Sequence, residues 1–318
     1  MERTKKKSIG DILTNLSMPI LLVVLIIFFS VMSDKFFTPL NLTNILVQNV
    51  HVVIVSCAVM IIMVSGGCDL SIGYQMSVAA VLVTKMISVN NVPVAVAIIA
   101  GIALCSLLGT FNGVMALKLK SNAMIVTLGT MSIFQGISYL ISESKTYHNL
   151  PKSFMYIGQG RIGGVVPINV IIMIVIAVAV GFVLSCTSVG RKVYAAGDSP
   201  EAARLAGLHV AKIKVLSFTV AGILVGIGAV LLASRSGSAD SSTGVGIEFT
   251  GITACVLSGV ALKGGEGTLW KVIFAAFALG VLSNGMQLIN LGTYPQYIAK
   301  GVIMLASLYL TNKNAQSV

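Results

Sequence analysis

The sequence predicts an all-α protein, a polytopic membrane helix bundle of about ten transmembrane helices, built as one transmembrane domain over residues 1–318 with both termini cytoplasmic. Two observations lead there. Charged residues make up 10% of the chain and apolar residues 56%, with a mean hydropathy of +0.96. A soluble domain carries roughly a quarter charged residues, so this composition could not cover a water-facing surface. The second observation is a run of apolar segments, each near the ~20 residues that cross ~30 Å of hydrocarbon. The net charge of +11 forms no single patch of the kind nucleic acid would need. The basic residues sit in the gaps between apolar runs, as loops on one side of a membrane would carry them.

Taken in order, the apolar segments lie at 18–33, 45–65, 70–88, 92–117, 123–141, 165–186, 213–234, 249–262, 268–289 and 295–311, the eighth being short. The first follows Lys5, Lys6 and Lys7 and so resembles a signal peptide. No small-x-small cleavage site follows Met32, and many apolar segments do, which predicts an uncleaved helix. The gap at 142–164 mixes charge, Tyr, Gly and Pro and forms an outer loop. The gap at 187–212 reads as helical: Asp198 or Ser199 caps a helix with Pro200 first, Glu201 in its first turn and Gly207 at its end. Gly-Gly pairs precede two spans, at Gly66-Gly67 and Gly264-Gly265. Both fall on the cytosolic side, so an inverted repeat cannot equate them, and they read as a shared solution for a tight turn.

Charge fixes the sidedness. With the N-terminus inside, the cytosolic face receives 14 basic residues: Arg3, Lys5, Lys6, Lys7, Lys118, Lys120, Arg191, Lys192, Arg204, Lys212, Lys214, Lys263, Lys271 and Lys313. The outer face receives five, Lys35, Lys145, Lys152, Arg161 and Arg235, while Lys85 and Lys300 fall within spans, which accounts for all 21. Removing or adding one span scrambles this bias. Lys85 and Lys300 lie within a turn or two of the outer face and read as snorkelling side chains.

Several residues invite a functional reading. The stretch Glu201-Ala202-Ala203-Arg204-Leu205-Ala206-Gly207 is a short helix with a small-residue face, suited to the close approach of a partner; the plainer alternative is an ordinary amphipathic loop helix. Polar residues within spans, Asn112, Thr127, Thr130, Ser132, Gln135, Asn284 and Gln287, are candidates to line a path for a neutral hydrogen-bonding solute. They serve equally well as glue between helices. Asp69 and Ser71, after Gly66 and Gly67, form a turn and cap or else a gate. Gly222, Gly226 and Gly228 offer a face for close helix packing. Cys57, Cys68, Cys105, Cys186 and Cys255 show no metal-ligand spacing and read as small packing residues, and neither a metal nor a cofactor is expected. No GxxxxGK[ST] loop occurs, so any driving energy comes from an ion gradient or a partner.

The EAAxxxG pattern at 201–207 resembles the cytoplasmic loop motif of ABC-importer permeases. Further stretches resemble one branch, the ribose/xylose/galactose-type monosaccharide permeases: NLTNILVQN (41–49), SGGCDLSIG (65–73), GTFNGVMALKLK (109–120), IVTLGTM (125–131), GRKVYAAGDSPEAARLAGL (190–208) and SGVALKGGEGTLW (258–270). Their order and spacing match along nearly the whole chain. The chain departs at IKVLSF (213–218), where the wider family continues to Ile-x-Leu-Pro, at Cys68 and Tyr74, and at Ser121, Asn122 and Ala123, where prolines are usual. The resemblance implies a multi-pass permease of a bacterial plasma membrane, without catalytic residues of its own. It implies that Glu201, Ala202, Ala203, Arg204 and Gly207 seat in a groove of an ATPase subunit. A second permease subunit and an extracytoplasmic sugar-binding protein complete the implied assembly. The sugar is left open. A gradient-driven secondary transporter stands as the alternative, although no acid lies in the middle of a span and His51 is the one histidine within one; a membrane-embedded enzyme lacks the His and carboxylate cluster it would need.

Overall fold

A computed structural model describes the backbone of residues 9–316 and the side chains of 16–309. Arg3, Lys5, Lys6 and Lys7, and the side chain of Lys313, which carry part of the charge bias, lie outside the described residues. The elements run α1 (Ile9–Met32), α2 (Pro39–Val64), α3 (Ile72–Ser88), α4 (Val94–Lys118), α5 (Ala123–Ser142), α6 (Lys152–Gln159), β1 (Arg161–Ile162), β2 (Val166–Pro167), α7 (Ile168–Cys186), α8 (Ser188–Asp198), α9 (Pro200–Leu205), α10 (Val210–Ser236), α11 (Ile247–Leu257), α12 (Leu269–Leu288) and α13 (Thr293–Gln316). Each of the ten apolar segments lies on a helix of its own. Among the described residues six of these helices, α2, α4, α5, α7, α10 and α12, are long and apolar enough to cross a membrane. The eighth segment departs most from expectation. It is helical only over the 11 residues of α11, which at 1.5 Å per residue rise about 16 Å, half a bilayer. Ser258 and a left-handed Gly259 (φ +84°) then turn the chain out of the helix.

The two halves of the bundle repeat one another. Helix α2 packs along α10, with Gly67 beside Phe218 and Val55 beside Gly228, so the two run antiparallel. Around this pair, α4 packs on α10 as α12 packs on α2, and α3 packs on α10 as α11 packs on α2. Likewise α3 touches α4 and α5 while α11 touches α12 and α13. Residues 39–142 and 210–316 are therefore the same arrangement in opposite senses. The Gly-Gly pairs play no part in this equivalence, as expected. Its local marker is Asp-x-Ser. Asp69 Oδ1 accepts from the backbone N–H of Ser71 at 2.8 Å and its hydroxyl at 2.6 Å. Asp240 Oδ1 accepts from the backbone N–H of Ser242 at 2.8 Å and its hydroxyl at 2.6 Å.

One end of the bundle carries α8 and α9, the other α6. At the α6 end the chain between α5 and α7 is tied to the end of α10. Gly158 N–H donates to Ser234 Oγ (2.7 Å), whose hydroxyl donates to Phe154 O (2.6 Å). Tyr147 and Ala239 exchange both backbone bonds. Lys85, expected only to snorkel, reaches a specific partner: its ammonium is 2.8 Å from Glu143, which also holds Lys145 at 2.9 Å. The two hydrogen-bonded lysines hold the Glu143 carboxyl at about 2, below its ordinary value.

Backbone approach sets the tightest packing. At the α4/α10 crossing a Cβ added to Gly222 would overlap the Cys105 carbonyl, and one added to Gly226 would lie 2.8 Å from Ile102 Cα. Gly109 and Gly113 of α4 face Phe218 and Val215 in return. Gly228, expected on the same seam, faces Val55 of α2 at an ordinary 3.5 Å. Gly222→Ala is therefore expected to destabilise the bundle by about 1–3 kcal/mol, through overpacking of a backbone contact. Gly228→Ala is expected to be near neutral. Thermal unfolding of both variants in one detergent separates them, and equal melting points would contradict the seam.

Candidate functional site

The connection between α7 and α10 is two helices, not one. Thr187 caps α8 by accepting from Gly190 N–H (3.3 Å), and Ser199 caps α9 by accepting from Ala202 N–H (3.4 Å). Pro200 takes the first position of α9. The helix ends on a left-handed Gly207 (φ +81°), with Leu208 N–H bonded to Ala203 O and Gly207 N–H to Arg204 O. This paired closure satisfies the last carbonyls and places an apolar residue beyond the turn against the helix. Of the residues expected to meet a partner, Glu201, Ala202, Arg204 and Gly207 are exposed. Ala203 is not: it is 4% exposed and packs with Ala196, Val210, Leu208 and Ile213. The expectation that this helix turns Ala203 outward is thus corrected: its methyl group is part of the apolar contact that seats α9 on α8 and the start of α10. The outward apolar residue is Leu205, 91% exposed. It stood in the motif unnoticed because a lone leucine carries no spacing signal.

Glycines fasten this connection to the bundle. The ends of α2 and α8 and the chain between α11 and α12 meet backbone to backbone. Gly265 N–H donates to Val64 O at 2.9 Å. A Cβ on Gly197 would overlap that same carbonyl, one on Gly265 would overlap Asp198, and one on Gly264 would lie 2.7 Å from Gly66 Cα. Gly66, Gly264 and Gly265 all have positive φ (+79°, +97° and +78°), which glycine adopts at no steric cost. The two Gly-Gly pairs thus share one end, as read from the sequence, and there they touch.

Beyond the junction, residues 65–71 run irregularly inside the bundle. Asp69 is 3% exposed. Its second oxygen accepts from Gln75 (2.9 Å) and Asn112 (3.1 Å), and Asn112 also donates to Ser71 Oγ (2.8 Å). Thr127 Oγ1 accepts from Leu70 N–H (3.1 Å), and Thr130 Oγ1 donates to Thr127 O (3.2 Å). Ser71 stands at the N-cap of α3, yet its hydroxyl makes no cap bond. Asn112 and Thr127 therefore hold this segment in place, while Thr130 bonds only within its own helix. Asn284 pairs with Asn41, each amide donating to the other at 2.9 and 3.0 Å. Gln135 is half-buried on α5.

The polar lining lies elsewhere. A cavity of about 830 Å³ opens between α2, α10, α11, α12 and α13, within the ~300–1,000 Å³ usual for small-molecule sites. Gln48, Asn49 and His51 of α2 line it, with Thr250 and Thr253 of α11, Ser283 and Gln287 of α12, and Tyr297 and Lys300 of α13. Arg235 enters it from the end of α10, its Nε buried and without a partner. Of the expected path residues only Gln287 lines this cavity. Thr253 was missed because it is one polar residue in an apolar run, and Gln48 and Asn49 because they stand near the start of one, where polar residues mark a helix end as readily as a path. Asn49 is admitted by a glycine, since any Cβ on Gly280 would overlap its amide. The sequence reading also passed over Glu248, placed just outside a span. It is fully buried at the start of α11 against Gly73, with Oε1 accepting from Gly246 N–H (3.3 Å) and Oε2 without a partner. Among the described residues no group of three or more His, Cys, Asp and Glu could hold a metal.

With this geometry in hand, comparison with known proteins is informative. Residues 41–308 match the family described as branched-chain amino acid transport system / permease component. The chain is 33% identical over 301 residues to the L-arabinose transport system permease protein AraH of Escherichia coli, covering 95% of this chain and 91% of the relative. It is 30% identical over 296 residues to the ribose import permease protein RbsC of Bacillus subtilis, covering 92% and 91%. It is 32% identical over 298 residues to the fructose import permease protein FrcC of Rhizobium meliloti, covering 91% and 82%. No solved structure matches.

The Asn41–Asn284 pair yields a test of its structural role. Replacing either asparagine alone with leucine strands a buried amide and is expected to cost about 1–3 kcal/mol. The double replacement should recover the part of that loss due to the stranded amide, though not the bond from Asn41 to Phe36 O, and uptake with it. Recovery of stability without any recovery of transport would return Asn284 to the solute path.

Proposed function

This chain belongs to the family of branched-chain amino acid transport system / permease components, and on that premise we propose that it is the permease subunit of an ATP-binding-cassette importer for a monosaccharide or sugar-like solute. Relatives named for arabinose, ribose and fructose transport support the substrate class. The protein is a multi-pass membrane protein, and it acts as a transport subunit and not as an enzyme. In this reading ten helices cross or enter the bilayer, the α8 end and both termini face the cytosol, and the α6 end faces outward. An ATPase subunit docks on α9, a sugar-binding protein delivers the solute at the α6 end, and a second permease subunit completes the path.

The observation that carries the reading is the attachment of α9. Its outer face, Glu201, Ala202, Arg204 and Leu205, is free for a partner, while its other end runs through Asp198 and Gly197 into contact with α2 and the 263–265 turn. A displacement of α9 therefore reaches the helices that wall the polar cavity: α2 directly, and α11 and α12 through their connecting chain. The cavity offers neutral hydrogen-bonding groups, Gln48, Asn49, Thr250, Thr253, Ser283 and Gln287, which suit sugar hydroxyls and need no chemistry from the protein. Asp69, Ser71, Gly66 and Gly67 act as the turn that holds one wall.

One observation favours the gradient-driven alternative, the buried Glu248 with a free oxygen. Energetics separate the two. Uptake should collapse when the partner ATPase loses its catalytic acid and persist when only the proton gradient is discharged; the opposite pattern would establish the alternative. Docking is tested with Leu205→Asp, which alters no internal contact. It should leave the protein inserted and cut both ATPase recovery and uptake by tenfold or more, since a central apolar anchor is worth about 2 kcal/mol or more. Glu201→Gln should do far less, because an exposed ion pair contributes only about 0–1 kcal/mol. Normal transport by Leu205→Asp would place the ATPase elsewhere. Sidedness is tested by single cysteines at Glu201 and Tyr156 in a cysteine-free background: they should label from opposite faces of intact cells.

A further inference from the structure

The molecule has a second cavity that the transport reading does not use. It encloses about 510 Å³ at the α8 end, between α7 and α10. Val180, Val183 and Leu184 form one wall, and Leu216 and Val220 the other. The wall on α10 runs from Lys212 to Val220, about 12 Å along the helix axis at 1.5 Å per residue. Both helices are long and apolar enough to span a membrane, and a shaft of this length fits within one leaflet, about 15 Å of hydrocarbon. Its side chains are left open: Leu216 is 60% exposed, and Val183 and Val220 are each 41% exposed.

The mouth of the groove has a different character. Lys192 and Lys212 line it together with His209, and no acid does. The ion pairs of Lys85 and Lys145 with Glu143 lie at the other end of the molecule. Two lysine ammonium groups without carboxylate partners thus stand over an apolar shaft one leaflet deep. A soluble partner would satisfy the charge but not the shaft, and hydrocarbon alone would satisfy the shaft but not the charge.

We propose that this groove is a binding site for an anionic phospholipid, its acyl chain lying along Val183, Leu216 and Val220 and its phosphate between Lys192 and Lys212. The turn that leaves α9, Gly207 to His209, forms part of the groove wall. A lipid seated there braces the α9 connection from the membrane side and makes its position sensitive to bilayer composition.

The test uses the full chain, purified in mild detergent from cells containing phosphatidylglycerol and phosphatidylethanolamine, with bound lipid counted by native mass spectrometry. Phosphatidylglycerol should be retained in preference. Two lysines each adding electrostatic attraction predict a drop in retention of about tenfold or more in Lys192→Gln/Lys212→Gln. Val220→Trp keeps both charges, fills the shaft and should lower retention as well, so the proposal stays testable if the lysine variant folds poorly. In nanodiscs the wild type should melt higher with phosphatidylglycerol than with phosphatidylcholine alone. Equal retention of the two lipids, or retention unchanged in both variants, overturns the proposal. So does an equal gain in melting temperature from soluble glycerol phosphate, which would reveal an anion site without a lipid, and so does a groove that retains no lipid because a second copy of the chain fills it.

Discussion

The fold depends on satisfying backbone that leaves the helix inside a membrane bundle. In hydrocarbon an unpaired N–H or C=O costs several kcal/mol, and irregular chain is tolerated only where protein or a water-filled cavity receives it. Two stretches, 65–71 and 237–246, break the helical pattern, the first between α2 and α3 and the second between α10 and α11. Both solve the problem with a short acid. Asp69 and Asp240 each fold back on the serine two residues on, and further polar groups complete the set. For the first stretch these are Gln75, Asn112 and Thr127. For the second they include Thr243, whose hydroxyl accepts from Asp240 N–H at 2.9 Å, and Ser138, which donates to Ser241 O at 3.3 Å. What reads in the sequence as a scatter of polar residues through apolar spans is largely this scaffold.

That division also explains what could be read in advance. Hydropathy placed an apolar segment on every long helix, because the length needed to cross lipid is a strong constraint. It missed the first turns of α1 and α2, which begin nine and six residues before the apolar segments at 18 and 45. Ser199, Pro200 and Gly207 located α9, since capping chemistry is local. The sequence could not show that α11 stops after 11 residues: the chain stays apolar through 260–262, and only the left-handed Gly259 marks the break. The inverted repeat was equally hidden, because Asp-x-Ser is a common string and only its hydrogen bonds make 69–71 and 240–242 alike. Pathway residues were the least legible part. A threonine facing a cavity and one facing a backbone carbonyl look the same in one dimension, so Thr127 and Thr253 could be told apart only by their surroundings. Ala203 was assigned to the wrong face for a related reason: a small residue suits an interface, but it suits a tight internal contact equally well.

Once the scaffold is set aside, the cavity and the α9 connection stand out as complementary parts. The cavity collects polar side chains from four helices of the repeat core and from the end of α10, with polar groups that face open space. The connection does the reverse, burying Ala196, Gly197 and Ala203 against the bundle and leaving Leu205 outside. Between them lies Glu248, a carboxylate held against the glycine backbone of α3 with one oxygen unpaired. A buried carboxyl group with one oxygen unpaired carries a desolvation cost that its single bond to Gly246 N–H only partly offsets.

The glycine junction has one more consequence. Side chains are compliant: a leucine between two helices can change rotamer and absorb a shift of an ångström before its neighbour feels it. At Gly66, Gly197, Gly264 and Gly265 there is no side chain to absorb anything, and peptide planes bear on peptide planes. Such a joint has almost no slack, so a small stroke at one arm arrives at the others undiminished. The same hardness leaves it without adjustable parts. Its tuning must come from the arms, in the lengths of α2, α8 and the 258–268 chain, and a lineage changing its cargo would revise the cavity walls while leaving the hinge pin alone.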